Sequence, residues 1–254
     1  MMLVAWIRSA ASYLFLCVFV ALLGPPALLF AFLTGRARPL FVLGRFGAMT
    51  ARQIFGIRVT IEGLDHVRAD RPTVYCINHR SNVDVIVFEL ILPRCPNLRA
   101  LYKAELDKIP ILGMVLRTAG FVPVERTKRH RAIEAVDLAV EHLKAGDSFL
   151  LAPEGTRSRT DQMLPFKKGG FVMAIKAQVP VVPIAILGSD HAMPRGRFYA
   201  TPCRVLVRIG EPVPTTGLGF EDRDTLAAEV RRRMERLLEG PEKGSDLFSG
   251  TATQ

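Results

Sequence analysis

The segment Asn78-His79-Arg80-Ser81-Asn82-Val83-Asp84 follows directly on the apolar run Thr73-Val74-Tyr75-Cys76-Ile77, and together they indicate how this part of the chain folds. His79 and Asp84 are five positions apart. In one straight helix this separation would turn the two side chains about 140° away from each other. In one extended strand they would lie roughly 17 Å apart. We therefore predict a strand, a loop carrying the histidine and then a helix with the aspartate in its first turn, because serine, asparagine and aspartate are residue types that begin helices.

His79 and Asp84 are candidate catalytic residues. A histidine titrates near neutral pH, and a fixed carboxylate holds its tautomer and stabilises the imidazolium that forms when the ring takes up a proton. Such a pair is suited to general-base chemistry. A polar loop with an incidental histidine is the alternative, and these two residues alone do not decide between the two interpretations.

Composition narrows the classes of partner. The chain has 254 residues, 49% of them hydrophobic, with a net charge of +10 and a pI near 9.9. Such a charge favours an anionic partner: nucleic acid, an anionic membrane or a phosphorylated substrate. The basic residues are spread along the chain without a zinc-finger or RNA-binding signature, so we expect no nucleic-acid partner. The four cysteines form no Cys-x-x-Cys pair, so we expect neither a disulfide framework nor a metal site.

The amino-terminal segment has the composition of a membrane anchor. No charged side chain occurs between Arg8 and Arg36, a stretch long enough to cross a bilayer. The interruption Gly24-Pro25-Pro26 disfavours one straight helix, so a hairpin of two short helices inserted into one leaflet remains as an alternative to a single spanning helix. Arginines then follow without an acidic residue until Glu62, a pattern typical of the cytoplasmic side. We predict that residues 1–56 attach the protein to the cytoplasmic face of the cell membrane.

The remaining sequence predicts one α/β domain over residues 57–240, followed by a disordered tail over residues 241–254. Apolar runs predict seven strands, at Arg58–Glu62, Thr73–Ile77, Leu98–Tyr102, Phe121–Val124, Ser148–Leu151, Val181–Ala185 and Arg204–Ile209. Between the fourth and fifth strands, helical spacing places Ile133, Val136, Val140 and Leu143 on one face. A last helix is predicted from Thr225 to Glu239, and its arginines are interpreted as a solvated face, with lipid headgroups as the alternative contact.

Four sequence blocks, in order, resemble the motifs of the glycerolipid acyltransferase family. They are the His-x-x-x-x-Asp pattern of His79 and Asp84, Gly120-Phe121-Val122-Pro123-Val124-Glu125-Arg126, Pro153-Glu154-Gly155-Thr156-Arg157-Ser158 and Val179-Pro180-Val181-Val182-Pro183. The resemblance covers roughly residues 61–209 and is nearest to the 1-acyl-glycerol-3-phosphate (lysophosphatidate) acyltransferases. It implies a glycerol-3-phosphate acyltransferase-like fold, with a mixed central sheet flanked by helices behind the apolar segment.

The resemblance also implies a reaction. A fatty acyl group would pass from acyl-CoA or acyl carrier protein to the free hydroxyl of 1-acyl-glycerol-3-phosphate, giving phosphatidate, with no bound cofactor. His79, held by Asp84, would take the proton of that hydroxyl. The sequence contains no Gly-x-Ser-x-Gly elbow, so the substrate hydroxyl would replace the serine of a Ser-His-Asp triad.

Further candidate residues are expected to bind the substrate phosphate. Lys103, Arg126 and Arg157 are cations that follow predicted strands, and the carboxyl ends of strands in an α/β sheet gather at one edge. By resemblance, Glu154, Gly155, Thr156 and Arg157 contact the glycerol-phosphate acceptor, and the Val-Pro-Val-Val-Pro block contacts the acyl donor or acyl chain. A carboxylate repels phosphate, so we expect Glu154 to orient an arginine or a glycerol hydroxyl. His66, His130, His142 and His191 are expected to be surface or loop residues without a partner.

Two other functions stay open from the sequence. The acceptor could be another lysolipid, such as a lysophospholipid or a lyso-ornithine lipid. Alternatively, the chain could be a non-catalytic lipid-binding protein of the same fold. The His79–Asp84 pair favours an enzyme, because binding alone requires no base.

Overall fold

The computed structural model describes residues 2–239 except 110, 126, 127, 159, 161 and 195, so the predicted tail lies outside the described residues. Two helices, α1 (Met2–Thr34) and α2 (Arg38–Phe55), precede an α/β domain. Its strands are β1 (Ile57–Glu62), β2 (Val74–Ile77), β3 (Leu98–Lys103), β4 (Val122–Val124), β5 (Ser148–Leu151), β6 (Val181–Leu187) and β7 (Cys203–Ile209). Its helices are α3 (Ile86–Ile91), α4 (Leu112–Thr118), α5 (Arg129–Lys144), α6 (Gly169–Ala177), α7 (Ser189–Ala192) and α8 (Arg223–Glu239).

The seven strands form one mixed sheet in the order β1-β7-β6-β2-β5-β3-β4. Strands β6, β2, β5, β3 and β4 run parallel, whereas β1 and β7 run parallel to each other and β7 is antiparallel to β6. Each predicted strand overlaps one of these, and the predicted mixed α/β sheet is confirmed. The carboxyl ends of the five parallel strands therefore meet at one edge of the sheet.

Hydrophobic cores cover both faces of the sheet. Alternate residues of β2 point to opposite faces, so Tyr75 packs in one core with α2 and α3, and Val74 packs in the other with α5, α6 and α8. The apolar face predicted for α5 is wrong at its first position. Ile133 is exposed, and the helix instead packs through Ala135 and Ala139, whose small side chains allow a close approach to the sheet.

The amino-terminal segment forms the single helix, one of the two alternatives that the sequence left open. Helix α1 continues through Pro25 and Pro26, and the chain reverses at residues 35–37. Each internal proline costs a helix roughly 3 kcal/mol, but Ala27 and Ala31 beyond the prolines pack in a cluster with Leu40 of α2. We attribute the unbroken helix to this packing. A helical hairpin does exist, but its second arm is α2, a segment that the sequence predicted as a basic juxtamembrane stretch.

Helix α1 differs from a core helix in its exposure. Among the described residues it is the one helix long and apolar enough to cross a membrane, and only 11% of its most apolar window is buried in the protein. The buried minority faces α2 and the domain. Arg8 donates to the carbonyl of Ile54 at 2.7 Å, and the hydroxyl of Ser9 accepts from the amide of Ala200 at 2.8 Å. The hairpin is thus packed into the fold rather than tethered to it.

Candidate active site

The histidine loop begins at a fixed strand end. Asn78, the first residue after β2, is buried, and its side-chain amide donates to the carbonyl of Ile186 at 3.0 Å. The side-chain oxygen of Asn78 accepts a hydrogen bond from the backbone amide of Ile186 at 2.7 Å. These two hydrogen bonds join the carboxyl ends of β2 and β6, so the next residue, His79, starts from a rigid position.

His79 and Asp84 meet across the predicted turn. The Nδ1 atom of His79 lies 2.8 Å from Oδ2 of Asp84, and the same oxygen accepts the backbone amides of Arg80 and Ser81, each at 2.8 Å. Ser81 caps a short 3₁₀ helix over Asn82–Val85, which places Asp84 in its first turn. The sequence prediction of a strand, a loop and a helical turn is therefore observed.

The exposure of the pair suits a base that acts on an external molecule. The imidazole of His79 is 26% exposed, whereas the carboxylate of Asp84 is 1% exposed. Because Nδ1 donates to Asp84, Nε2 is the ring nitrogen left to take up a proton. The backbone amides of Arg80 and Ser81 hold the carboxylate of Asp84 beside the ring. The arrangement can hold and orient a histidine that accepts a proton from a substrate.

Glu154 supports the histidine loop from beneath. It follows β5, it is 2% exposed, and its two carboxylate oxygens accept the backbone amides of His79 and Leu164, each at 2.8 Å. Burial raises its pKa above the usual range of a glutamate, although these two hydrogen bonds oppose the shift. The described contacts of the carboxylate are thus made within the protein, where they join two loops.

The residues after Glu154 lie against the same loop. Gly155 has a φ of +70°, and a Cβ atom there would lie 2.9 Å from Cε of Lys167, so this turn requires glycine. The amide of Ser158 donates to the carbonyl of His79 at 2.8 Å. Thr156 is exposed between them. The block predicted to bind the acceptor therefore adjoins His79.

The predicted phosphate-binding cations reach this edge to different extents. The guanidinium of Arg157 donates to the side-chain oxygen of Asn82, directly beside the histidine loop. Lys103 ends β3, two strands from β2, and its Nζ lies 3.2 Å from Oε1 of Glu105. Arg126 lies outside the described residues. Among those that are described, no cluster of three or more His, Cys, Asp or Glu side chains could hold a metal ion.

An apolar cavity of about 460 Å³ adjoins the histidine loop. Its walls come from α1, α2, the 3₁₀ helix and the start of α3, and include Phe19, Ala48, Val83 and Ile86. Asn82, the residue that Arg157 contacts, also lines it. An apolar space and a cation thus lie close to the same short segment.

Known proteins are similar to this chain in sequence and in fold. A family model described as Acyltransferase matches residues 58–187, just over half of the chain. The crystal structure of the 1-acyl-sn-glycerophosphate (LPA) acyltransferase PlsC from Thermotoga maritima is similar with a TM-score of 0.70 and 31% identity, covering 92% of this chain and 97% of that one. The chain belongs to the acyltransferase family.

Curated relatives with this family's activity are also similar. The 1-acyl-sn-glycerol-3-phosphate acyltransferase alpha of Mus musculus is 34% identical over 187 residues, which cover 72% of this chain and 65% of that protein. The 1-acyl-sn-glycerol-3-phosphate acyltransferase of Saccharomyces cerevisiae is 31% identical over 185 residues, covering 71% and 60%. The chain therefore spans slightly less than two thirds of the length of these curated relatives.

The fourth acyltransferase block lies away from His79. Val179 and Val181 are buried in the core, and Val181 pairs with Val74 at the amino end of β2, whereas His79 follows the carboxyl end. Val181 begins β6, where the sequence predicted a strand. The contact with the acyl donor or acyl chain that the resemblance implies stays a prediction.

The four histidines expected to have no partner all have one among the described residues, three of these contacts being His66 with the carbonyl of Ile209 at 2.9 Å, His130 with Glu134 at 3.3 Å and His191 with Asp190 at 3.4 Å. His142 was expected to have none, but its Nδ1 atom lies 2.8 Å from Oδ2 of Asp147, five residues later. The same spacing as in His79 and Asp84 is visible in the sequence and could have indicated the contact. Asp147 directly precedes β5, so this second pair lies at the amino edge of the sheet, whereas His79 follows the carboxyl end of β2.

Proposed function

We propose that this acyltransferase transfers a fatty acyl group to the free hydroxyl of 1-acyl-glycerol-3-phosphate and so makes phosphatidate, a step of phospholipid biosynthesis. The observation that carries the proposal is the contact of 2.8 Å between Nδ1 of His79 and the buried carboxylate of Asp84. The similarity to 1-acyl-sn-glycerol-3-phosphate acyltransferases supports the choice of acceptor.

In the proposed reaction, Nε2 of His79 takes the proton of the acceptor hydroxyl as its oxygen attacks the carbonyl carbon of an acyl thioester. A carbon–oxygen bond forms, and the carbon–sulfur bond then breaks. The proton held by the imidazolium passes to the leaving thiolate, so the enzyme returns to its starting state. Asp84 stabilises the imidazolium while the proton is held, as a triad aspartate does.

The donor in this proposal is acyl-CoA or acyl-acyl carrier protein, because both carry the acyl group as a thioester. Neither requires a cofactor bound to the enzyme. The acceptor phosphate would contact Arg157, with Lys103 and Arg126 as further cations and Gly155 and Thr156 offering a backbone amide and a hydroxyl. The apolar cavity beside Asn82 supports a lipid substrate, because it offers an acyl chain a route out of water.

We also propose attachment to the cytoplasmic face of the cell membrane. Phe32 and Leu33 near the end of α1 are 85% and 72% exposed, which is unfavourable in water and favourable in lipid. Arg36 and Arg38 lie at the hairpin turn and suit anionic headgroups. This placement supports direct capture of a lysolipid from the bilayer.

A radiolabelled acyl-transfer assay with matched acceptors tests the proposed function. The acceptors are 1-acyl-glycerol-3-phosphate, 1-acyl-glycerol, a lysophosphatidylcholine and a lyso-ornithine lipid, each tested with acyl-CoA and with acyl-acyl carrier protein. We expect phosphatidate as the main product and little transfer to 1-acyl-glycerol, which lacks only the phosphate. Preferred transfer to another acceptor would change the substrate, and no transfer to any of them would favour a non-catalytic lipid-binding protein.

A further inference from the structure

Arg231 of α8 holds the loop that Glu154 contacts. Its guanidinium donates to the carbonyl of Leu164 at 2.8 Å and to the carbonyl of Met163 at 3.0 Å, and its Nε donates to Glu235 at 2.9 Å. The guanidinium also lies over the ring of Phe166, 5.3 Å from the ring centroid. All three guanidinium nitrogens are therefore engaged, two of them with backbone of one loop.

One planar peptide group connects Arg231 with Glu154. The carbonyl of Met163 and the amide N–H of Leu164 belong to the same peptide unit, whose two polar groups point in opposite directions. Arg231 donates to the carbonyl, and the N–H donates to Oε2 of Glu154. The other oxygen of Glu154 accepts the amide of His79. A continuous series of hydrogen bonds thus runs from a guanidinium through a peptide and a carboxylate to the histidine.

The charges of Arg231 and Glu154 strengthen this series of hydrogen bonds. A cation at the carbonyl polarises the peptide, so its N–H becomes a stronger donor to the carboxylate, and hydrogen bonds in series reinforce one another. The backbone of Arg231 is held in place by packing, because Val230 and Met234 on the same helix are fully buried in the core. The position of α8 is thereby transmitted to the loop that carries His79.

Neighbouring arginines do not make this connection. Arg232 and Arg233 both contact Glu229, one turn earlier on the same helix. Arg231 also lies beyond residues 58–187, the region that the family model matches. The sequence interpretation treated the whole arginine run as a solvated face, so Arg231 is a correction to it.

We propose that Arg231 is a positioning residue for the general base His79, acting through the Met163–Leu164 peptide and Glu154. The proposal rests on the proposed function, since it assigns Arg231 a part in setting the geometry of that reaction. The charged and titratable groups that face Glu154 are His79 and Arg80 of the catalytic loop, which favour its ionised form, and Arg231 acts on it through the peptide. Loss of Arg231 weakens the hydrogen bond from Leu164 and makes Glu154 easier to protonate.

Four proteins test the proposal: the wild type, Arg231→Gln, Arg231→Lys and the matched control Arg232→Gln. In Arg231→Gln we expect kcat to fall between about 10-fold and 100-fold, as for a displaced catalytic group, with both KM values unchanged. Arg231→Lys should recover part of kcat, since an ammonium keeps the positive charge but lacks the planar arrangement of donors that a guanidinium has.

Amide hydrogen exchange provides a readout that does not depend on activity. The amides of His79 and Leu164 should exchange faster in folded Arg231→Gln and at the wild-type rate in Arg232→Gln. Equal exchange in the two variants overturns the proposal, and so does a fall in kcat that Arg231→Lys does not recover in any part. If these amides lose protection while the wild type transfers acyl groups to no lyso-acceptor, the hydrogen-bonded link from Arg231 to the loop of His79 stands, and the proposed function fails.

Discussion

Nδ1 of His142 lies 2.8 Å from Oδ2 of Asp147, the same atoms at the same distance and sequence separation that join His79 to Asp84. The two pairs lie at opposite edges of the sheet, because one precedes β5 and the other follows the parallel strand β2. Asp147 also contacts Arg99 at 3.1 Å. A histidine–aspartate contact at 2.8 Å therefore occurs twice among the described residues, and we propose His79 as the base because Glu154 and Ser158 of the third acyltransferase block contact it.

These two pairs give a matched comparison for the first prediction. We expect His79→Ala to lower kcat for acyl transfer by about 10²-fold to 10⁴-fold, the usual contribution of a general base. His142→Ala removes the same imidazole from the same kind of contact and should keep wild-type kcat per folded molecule. Initial rates with 1-acyl-glycerol-3-phosphate, normalised to folded protein, provide the measurement. Retained transfer in His79→Ala would contradict the mechanism.

The sheet could be predicted from sequence because each strand is a short apolar run of distinct composition. The sequence did not decide between one amino-terminal helix and a hairpin, since the local penalty of Pro25 and Pro26 is visible in the sequence whereas the packing of Ala27 and Ala31 against α2 is not. Ile133 was misassigned for a similar reason, because the tertiary approach of α5 selects its alanines. Local rules failed where long-range packing decides.

The contacts of the candidate site also divide into those that a local sequence pattern predicts and those that long-range packing produces. The turn that joins His79 to Asp84 follows from their spacing, and it was predictable. The two backbone hydrogen bonds of Glu154 join residues 75 and 10 positions apart, so no local pattern indicates them. The link from Arg231 to Leu164 spans 67 positions. Contacts of this range become visible only when the fold brings the loops together.

Arg157 provides the second prediction, on recognition of the phosphate. Its contact with Asn82 holds a guanidinium beside the catalytic loop, where it can form a bidentate contact with phosphate oxygens. Arg157→Ala should raise the KM for 1-acyl-glycerol-3-phosphate about 10-fold or more, the cost of one charge-assisted hydrogen bond, and leave the donor KM unchanged. The exposed Lys144→Ala at the opposite edge is the control. Equal increases in both KM values for Arg157→Ala would exclude a specific phosphate contact.

The third prediction concerns the ion pair that joins the hairpin of α1 and α2 to the α/β domain. Nε and Nη2 of Arg52 in α2 each lie 3.3 Å from an oxygen of Glu89 in α3, and Glu89 is buried. Arg52→Ala leaves a buried carboxylate without its cation and should lower the free energy of unfolding by roughly 3–5 kcal/mol, whereas the double variant Arg52→Met with Glu89→Leu should lose far less. Denaturant unfolding of the detergent-solubilised protein measures both. If the double variant is the less stable one, the ion pair itself supplies net stability.

The fourth prediction tests the exposed end of α1. Replacing Phe32 and Leu33 by aspartate places two charges on side chains that contact little of the protein, so folding should be preserved while insertion into lipid becomes unfavourable. In a flotation assay with anionic vesicles, less of this variant should float than of the wild type. Ile133→Asp alters an exposed apolar residue on α5 and should float normally. Unchanged flotation of the α1 variant would place the lipid contact elsewhere.

The fifth prediction follows from the pKa of Glu154. Burial raises this pKa in the folded state above its value in the unfolded chain. The folded state therefore binds the proton more tightly, so the stability contributed by Glu154 is full below the unfolded pKa and is lost as pH rises through the folded pKa. Glu154→Gln removes this ionisation.

The measurable quantity is the free energy of unfolding of the wild type minus that of Glu154→Gln. It should decrease as pH rises from about 4, near the unfolded pKa of a glutamate, towards neutrality. The exposed Glu141→Gln changes the same formal charge and should show no such decrease. A difference that grows with pH for Glu154→Gln would mean that the amides of His79 and Leu164 outweigh burial and lower the pKa of Glu154.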